Sequence, residues 1–105
     1  MGTEIKQLRA YSFAKETYPK VKYPAQFQVI MLNDDYTPMD FVVIVLQIFF
    51  NMNLDMAVRT MLKVHQLGYA VCGVFHKDIA ETKVAIVNNY ATQHEHPLRC
   101  KMEKI

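Results

Sequence analysis

The strongest constraint on this chain is a hydrophobic period that switches between two values along residues 27 to 103. A period of two marks a strand with alternating faces, and a period near 3.6 marks a helix with one apolar stripe. Phe27-Gln28-Val29-Ile30-Met31-Leu32 reads as a short strand whose second half is apolar on both faces. The polar turn Asn33-Asp34-Asp35-Tyr36 follows it. Thr37-Pro38-Met39-Asp40 predicts a helix start, with Thr37 as N-cap, Pro38 at the first helical position and an acid at the third. That helix runs to about Phe50. A second begins near Asn53 and ends at Gly68, with Leu54, Ala57, Met61, Val64 and His65 at helical spacing. Glycine at its end suits the left-handed C-terminal position.

Tyr69 to Phe75 is rich in β-branched and aromatic residues and reads as a strand. Asp78-Ile79-Ala80-Glu81 is a capping pattern that opens a third helix to about Gln93, with Ala80, Val84, Val87 and Ala91 along one face. Leu98 to Glu103 alternates apolar and charged residues, as a strand with one buried and one wet face does. The order β-α-α-β-α-β predicts an α+β domain: a small three-stranded antiparallel sheet with three helices packed on one side.

Residues 1–26 lack that periodicity, and Pro19 and Pro24 punctuate their end. They read as a flexible N-terminal extension, with room for a short helical stretch from Ile5 to Ala14, and residues 27–105 as the core domain. The extension carries five basic and two acidic residues, a net +3 within a chain of net +2. The remainder is therefore slightly acidic and is not a nucleic-acid platform. No apolar run approaches the roughly 20 residues of a membrane helix. The first residues lack the basic, apolar and small-residue pattern of a secretory signal, so a cytoplasmic protein is expected. Cys72 and Cys100 sit among alternating apolar residues and are expected to be buried, reduced thiols.

Few arrangements here could carry catalysis. Asp34-Asp35 has the composition of an acid/base or metal-binding pair, but adjacent side chains diverge and polar turns commonly hold such residues. The spacing of His65, His76, His94, His96 and the two cysteines matches no zinc pattern, and His94-x-His96 falls where the third helix is expected to fray. Three glycines are too few for a phosphate-cradling loop. Neither a cofactor nor a metal is expected, and the chain does not read as an enzyme. The methionines in or near the first two helices, Met31, Met39, Met52, Met56 and Met61, suit either a core or an adaptable pocket wall.

The stretch from Val29 through Asn33-Asp34-Asp35-Tyr36-Thr37-Pro38-Met39 to Val42 resembles the ClpS adaptor family. So do Met61-Leu-x-Val-His65, Cys72-Gly-Val-Phe75, Ala80-Glu-Thr-Lys-Val-Ala85 and His94-Glu-His-Pro-Leu98, in the family's order across residues 27–105. The resemblance implies an adaptor of the N-degron pathway. Such a protein binds a bulky N-terminal residue (Leu, Phe, Tyr or Trp) of a substrate and the N-terminal domain of a ClpA-type AAA+ unfoldase, which feeds ClpP. It also implies a monomer, without membrane or nucleic-acid partners.

By the same resemblance Asn33, Asp34 and His65 contact the substrate's α-amino group, with Asp35 and Thr37 shaping the loop. Met39, Val42, Val64 and Leu98 line the apolar hole, and Met39 acts as a gatekeeper against β-branched residues. Asp78, commonly Glu in the family, and Lys83 meet the unfoldase. The types suit the task. An α-ammonium offers three donors, which a carbonyl, a carboxylate and a neutral imidazole can accept. A ribosome-associated or purely structural interaction domain is the alternative, because this small α+β architecture also resembles a ribosomal stalk protein domain and fold alone does not fix function.

Overall fold

The apolar run at the start of the core becomes the central strand of a sheet. The computed structural model describes residues 24–105. Strand β1 (Gln26–Leu32) is followed by helices α1 (Met39–Phe50) and α2 (Leu54–Leu67), strand β2 (Tyr69–His76), helix α3 (Lys77–Gln93) and strand β3 (Arg99–Lys104). The predicted order β-α-α-β-α-β is the order found. The sheet runs β2-β1-β3 with both pairings antiparallel. Being central, β1 needs apolar residues on both faces, and Val29, Ile30 and Met31 are all buried. The expected extension falls outside the described residues as far as residue 23, and Gln26 already belongs to β1.

One face of the sheet meets all three helices. Val29 and Met31 of β1, Ala70 and Cys72 of β2, and Cys100 of β3 pack with Phe41, Val42, Val45 and Leu46 of α1. Ala57 and Val64 of α2 and Ala80, Val87 and Ala91 of α3 complete this core. The small alanines let α3 approach closely. The register shifts between Val29 and Ile30, which face Gly73 and Val71, so Cys72 is the extra residue of a bulge. Beside it, a Cβ added at Gly73 would stand 2.6 Å from the Phe75 ring, so that ring would have to shift to admit one. Both cysteines are buried and free, and a hydrogen bond with Cys72, followed by burial, pushes the Cys100 thiol far above its ordinary value.

The edge strand β3 is closed by a side chain. Asn88 of α3 accepts from the Cys100 N–H at 2.8 Å and donates to its carbonyl at 3.3 Å. A backbone amide pair that would otherwise be buried without partners is thereby satisfied.

The second helix starts and stops as predicted. Asn53 accepts from the Met56 N–H at 2.8 Å, and Gly68 closes the end at φ 91° with its N–H on the Val64 carbonyl. Leu54, however, is exposed. The other two starts differ from expectation, by one residue at α1 and two at α3. Thr37 does not cap α1: its hydroxyl donates to the Asp34 carboxylate, Pro38 takes the N-cap position, and the helix begins at Met39. Asp78 lies inside the first turn of α3, which opens at Lys77 after His76, and its charge still favours the helix N-terminus. Nor does α3 fray at His94, which closes it as C-cap with its ring 5.5 Å from that of Phe41, tilted by 53°.

Candidate functional site

Three connections converge at one end of the sheet. The N–H of Asn33, just past β1, donates to the Gly68 carbonyl at 2.9 Å. That bond joins the polar turn to the end of α2, less than one turn from His65. The pairing of Leu32 with Arg99 brings the start of β3 to the same place, so Leu98 arrives beneath the turn. A cavity of about 180 Å³ opens between these segments. It is smaller than the roughly 300–1,000 Å³ of sites for drug-sized ligands and has the scale of one side chain.

Every residue expected at the α-amino site, the loop or the apolar hole lines this cavity: Asn33, Asp34, Asp35, Thr37, Met39, Val42, Val64, His65 and Leu98. Their burial sorts them. Val42, Val64 and Leu98 are buried and form apolar walls, whereas Asn33 and His65 are exposed at the mouth. Met39, 46% exposed, stands at the rim where a flexible side chain can bound the opening. Leu32 and Met61 also line the cavity; Leu32 was not singled out from the sequence, and Met61 only among the methionines suited to either a core or a pocket wall. Met61 precedes Val64 by three residues on α2, and helical spacing from a known wall residue was the available signal. Of the other methionines, Met31 is in the core, Met52 packs against it and Met56 is exposed.

The mouth is organised by Asp34. Its Oδ1 accepts from the backbone N–H of Tyr36 at 2.8 Å and of Thr37 at 2.7 Å, and its Oδ2 from the Thr37 hydroxyl at 2.7 Å. Partial burial raises its pKa. The Thr37 hydroxyl, the two backbone donors and the field of His96 outweigh that, so the carboxyl lies below its ordinary value and stays ionised. A carboxylate has about four acceptor positions, and three are occupied. Asp34 therefore both folds the loop and projects negative charge over the cavity. Asp35 is exposed and makes no side-chain hydrogen bond among the described residues, so loop shaping falls to Asp34 and Thr37.

The arrangement can hold a small apolar group beneath a cationic one. A carboxylate, an amide and an imidazole ring the opening, and branched aliphatic side chains and methionines fill the space below. The ClpS family model, for the ATP-dependent Clp protease adaptor protein ClpS, matches residues 22–101. The chain belongs to the ClpS family. Among ClpS relatives, the ATP-dependent Clp protease adapter protein of Rhodospirillum centenum is 58% identical over 86 residues, covering 82% of this chain and 80% of its own. That of Methylococcus capsulatus is 57% identical over 90 residues, covering 86% and 85%. Among solved structures, Agrobacterium tumefaciens ClpS2 bound to L-phenylalaninamide matches with a TM-score of 0.77 at 38% identity, over 79% of this chain and all of that one.

The two residues expected to meet an unfoldase lie away from the cavity, on α3. Asp78 is exposed. Lys83 is half-buried and donates to the Phe49 carbonyl at 2.6 Å, near the Phe50 and Phe75 rings at 5.8 and 5.7 Å. It satisfies a carbonyl at the end of α1 that the helix itself leaves without a partner. Among the described residues no three His, Cys, Asp or Glu side chains converge as a metal site requires. No described helix is long and apolar enough to cross a membrane.

Proposed function

We propose that this ClpS-family adaptor binds the free N-terminus of proteins beginning with Leu, Phe, Tyr or Trp and delivers them to a ClpA-type AAA+ unfoldase for degradation by ClpP. The observation that carries this reading is the polar mouth set directly over a cavity of side-chain size. L-Phenylalaninamide, held by the ClpS2 relative, has a free amino group and an amide in place of its carboxylate, as an N-terminal phenylalanine does. In this chain the substrate ammonium would donate to Asn33 and His65 and sit in the field of Asp34, whose fourth acceptor position is open. The substrate side chain would descend between Val42, Val64, Leu98 and Met61. Met39 at the rim would exclude side chains branched at Cβ, so Ile and Val are poor ligands.

Magnitudes support a one-residue site. Burying a Leu or Phe side chain contributes roughly 1.5–3 kcal/mol, and each charged hydrogen bond roughly 1.5–3 kcal/mol. With three such bonds the gross gain reaches roughly 12 kcal/mol at its upper end, and the lowest association cost, about 4 kcal/mol, sets micromolar, about −8 kcal/mol, as the ceiling on affinity. His65 can accept a hydrogen bond only through an unprotonated ring nitrogen. At the far end, Asp78 offers the unfoldase a free carboxylate, while Lys83 must leave the Phe49 carbonyl to take part.

The deciding experiment is calorimetric titration with a Leu-initiated peptide and with the same peptide N-acetylated. Micromolar binding of the free form and none of the acetylated form is expected. Equal binding, or none of either, would leave an α+β interaction domain without N-terminus recognition.

A further inference from the structure

The sheet face turned away from the helices carries a groove that the N-terminus reading does not use. Its floor is β1, through Gln28, Ile30 and Leu32. Tyr69 and Val71 of β2 stand along one side and Lys101 and Glu103 of β3 along the other, in register with that floor. Ile30 pairs with both Val71 and Lys101 and is only 5% exposed between them. The groove encloses about 640 Å³, against about 180 Å³ for the cavity.

The apolar wall of this groove is open to solvent. Leu67, Tyr69 and Val71 are 66%, 53% and 43% exposed, and they lie close together in sequence where α2 ends and β2 begins. The opposite wall adds no net charge, because Lys101 and Glu103 pair with each other at 3.0 Å. Adjoining exposed apolar side chains beside a neutral wall suit an apolar partner. A charged segment would find its counter-ion already paired.

Groove and cavity meet at the end of β1. Leu32 lines both. The Asn33 N–H donates to the Gly68 carbonyl at 2.9 Å, so a residue of the mouth is tied directly to a residue of the groove. A substrate whose first residue fills the cavity leaves the mouth as a continuous chain, and this ledge leads from mouth to groove. From Leu32 back to Gln28 the floor is roughly 13 Å long at about 3.3 Å per residue, the length of about four extended residues. In such a chain every second side chain faces the floor.

We propose that the groove is a second subsite for the same substrate: it takes the extended residues that follow the N-terminal one and favours apolar side chains at alternate positions. This subsite rests on the N-terminus-binding reading and deepens it. A substrate that fills both sites escapes the affinity ceiling of a one-residue site.

The test uses the full chain and three ligands in calorimetric titration. L-Phenylalaninamide fills the cavity alone. One Phe-initiated hexapeptide continues with Gly and Ser, and a second carries Leu, Val or Tyr at alternate positions. The parent protein should bind the apolar hexapeptide about tenfold more tightly than the polar one. In the double variant Leu67→Ser/Tyr69→Ser that advantage should disappear, while L-phenylalaninamide binds parent and variant equally. Both substituted side chains are mainly exposed, so the fold should survive, and thermal melts check that it does. If the amide binds but the apolar hexapeptide has no advantage, or keeps it in the double variant, the groove proposal fails alone. If the amide binds neither protein, the cavity reading fails and takes the subsite with it. A ligand-free parent that sediments as a dimer, with a monomeric double variant, would assign the groove to a second copy of the chain and likewise overturn the proposal.

Discussion

The two ends of this molecule treat their polar groups in opposite ways. At the cavity, Asn33 and His65 are exposed and have no side-chain hydrogen bond among the described residues. Asp34 keeps an acceptor position open beyond its three internal bonds. At the far end, the Lys83 ammonium is committed to the Phe49 carbonyl and lies against two aromatic rings. A stable fold pairs its half-buried charges, as the Lys83 end does. Acceptors held in place and left free over an apolar hole stabilise nothing in the free protein. They are available to a ligand with donors. Under the proposed function, the contrast separates a group engaged by the fold from groups left available for binding, although the same sequence motifs mark both.

The contrast is open to direct attack. The largest expected effect is on binding: Asp34→Asn should weaken the Leu-initiated peptide about 10–100-fold in a titration, the scale of one charged hydrogen bond of roughly 1.5–3 kcal/mol. Lys83→Ala should do the reverse, leaving peptide affinity unchanged and lowering stability by about 1.5 kcal/mol in a urea melt. If Lys83→Ala weakens the peptide instead, the two ends are coupled and the division fails. Gly68→Ala sharpens the comparison, because Gly68 sits at φ 91° in open space and its carbonyl anchors Asn33. It should cost about 1 kcal/mol of stability from backbone strain alone, with a smaller loss of affinity through the displaced turn.

The smallest effect is on acid stability. The folded Asp34 carboxyl titrates below its ordinary value of 3.8. Its contribution to stability is therefore fully present above that value and is lost as pH falls through the lowered folded value. Melts of the parent protein should show this small loss below pH 3.8, and Asp34→Asn should lack it. Screening by solvent at this largely exposed group keeps the difference modest.

How much of this was legible beforehand differs from element to element. The Asn53 cap and the Gly68 stop of α2 depend only on local chemistry, and both were readable in the sequence. Thr37 was misread as a cap because its true partner, the Asp34 carboxylate, is a second local possibility that sequence alone does not rank. Lys83 was read only as an unfoldase contact implied by the family resemblance, and the packing of α3 beside the end of α1 reveals the carbonyl it serves. His94 and His96 looked like the frayed end of a helix, since the left-handed residue between them carries no glycine to announce it.

The sequence by itself determined the order of elements, the two-sided burial of β1, and the family motifs that named nine cavity residues. Periodicity and capping act over a few residues, so they survive in the linear chain. The tertiary structure decided that those nine residues share one cavity, and that Leu32 and Met61 join them. It also set the Cys72 bulge, the Asn88 clasp on β3 and the placement of the His96 ring against Phe41. Each of these depends on segments distant in sequence meeting in space, and no local pattern encodes that meeting.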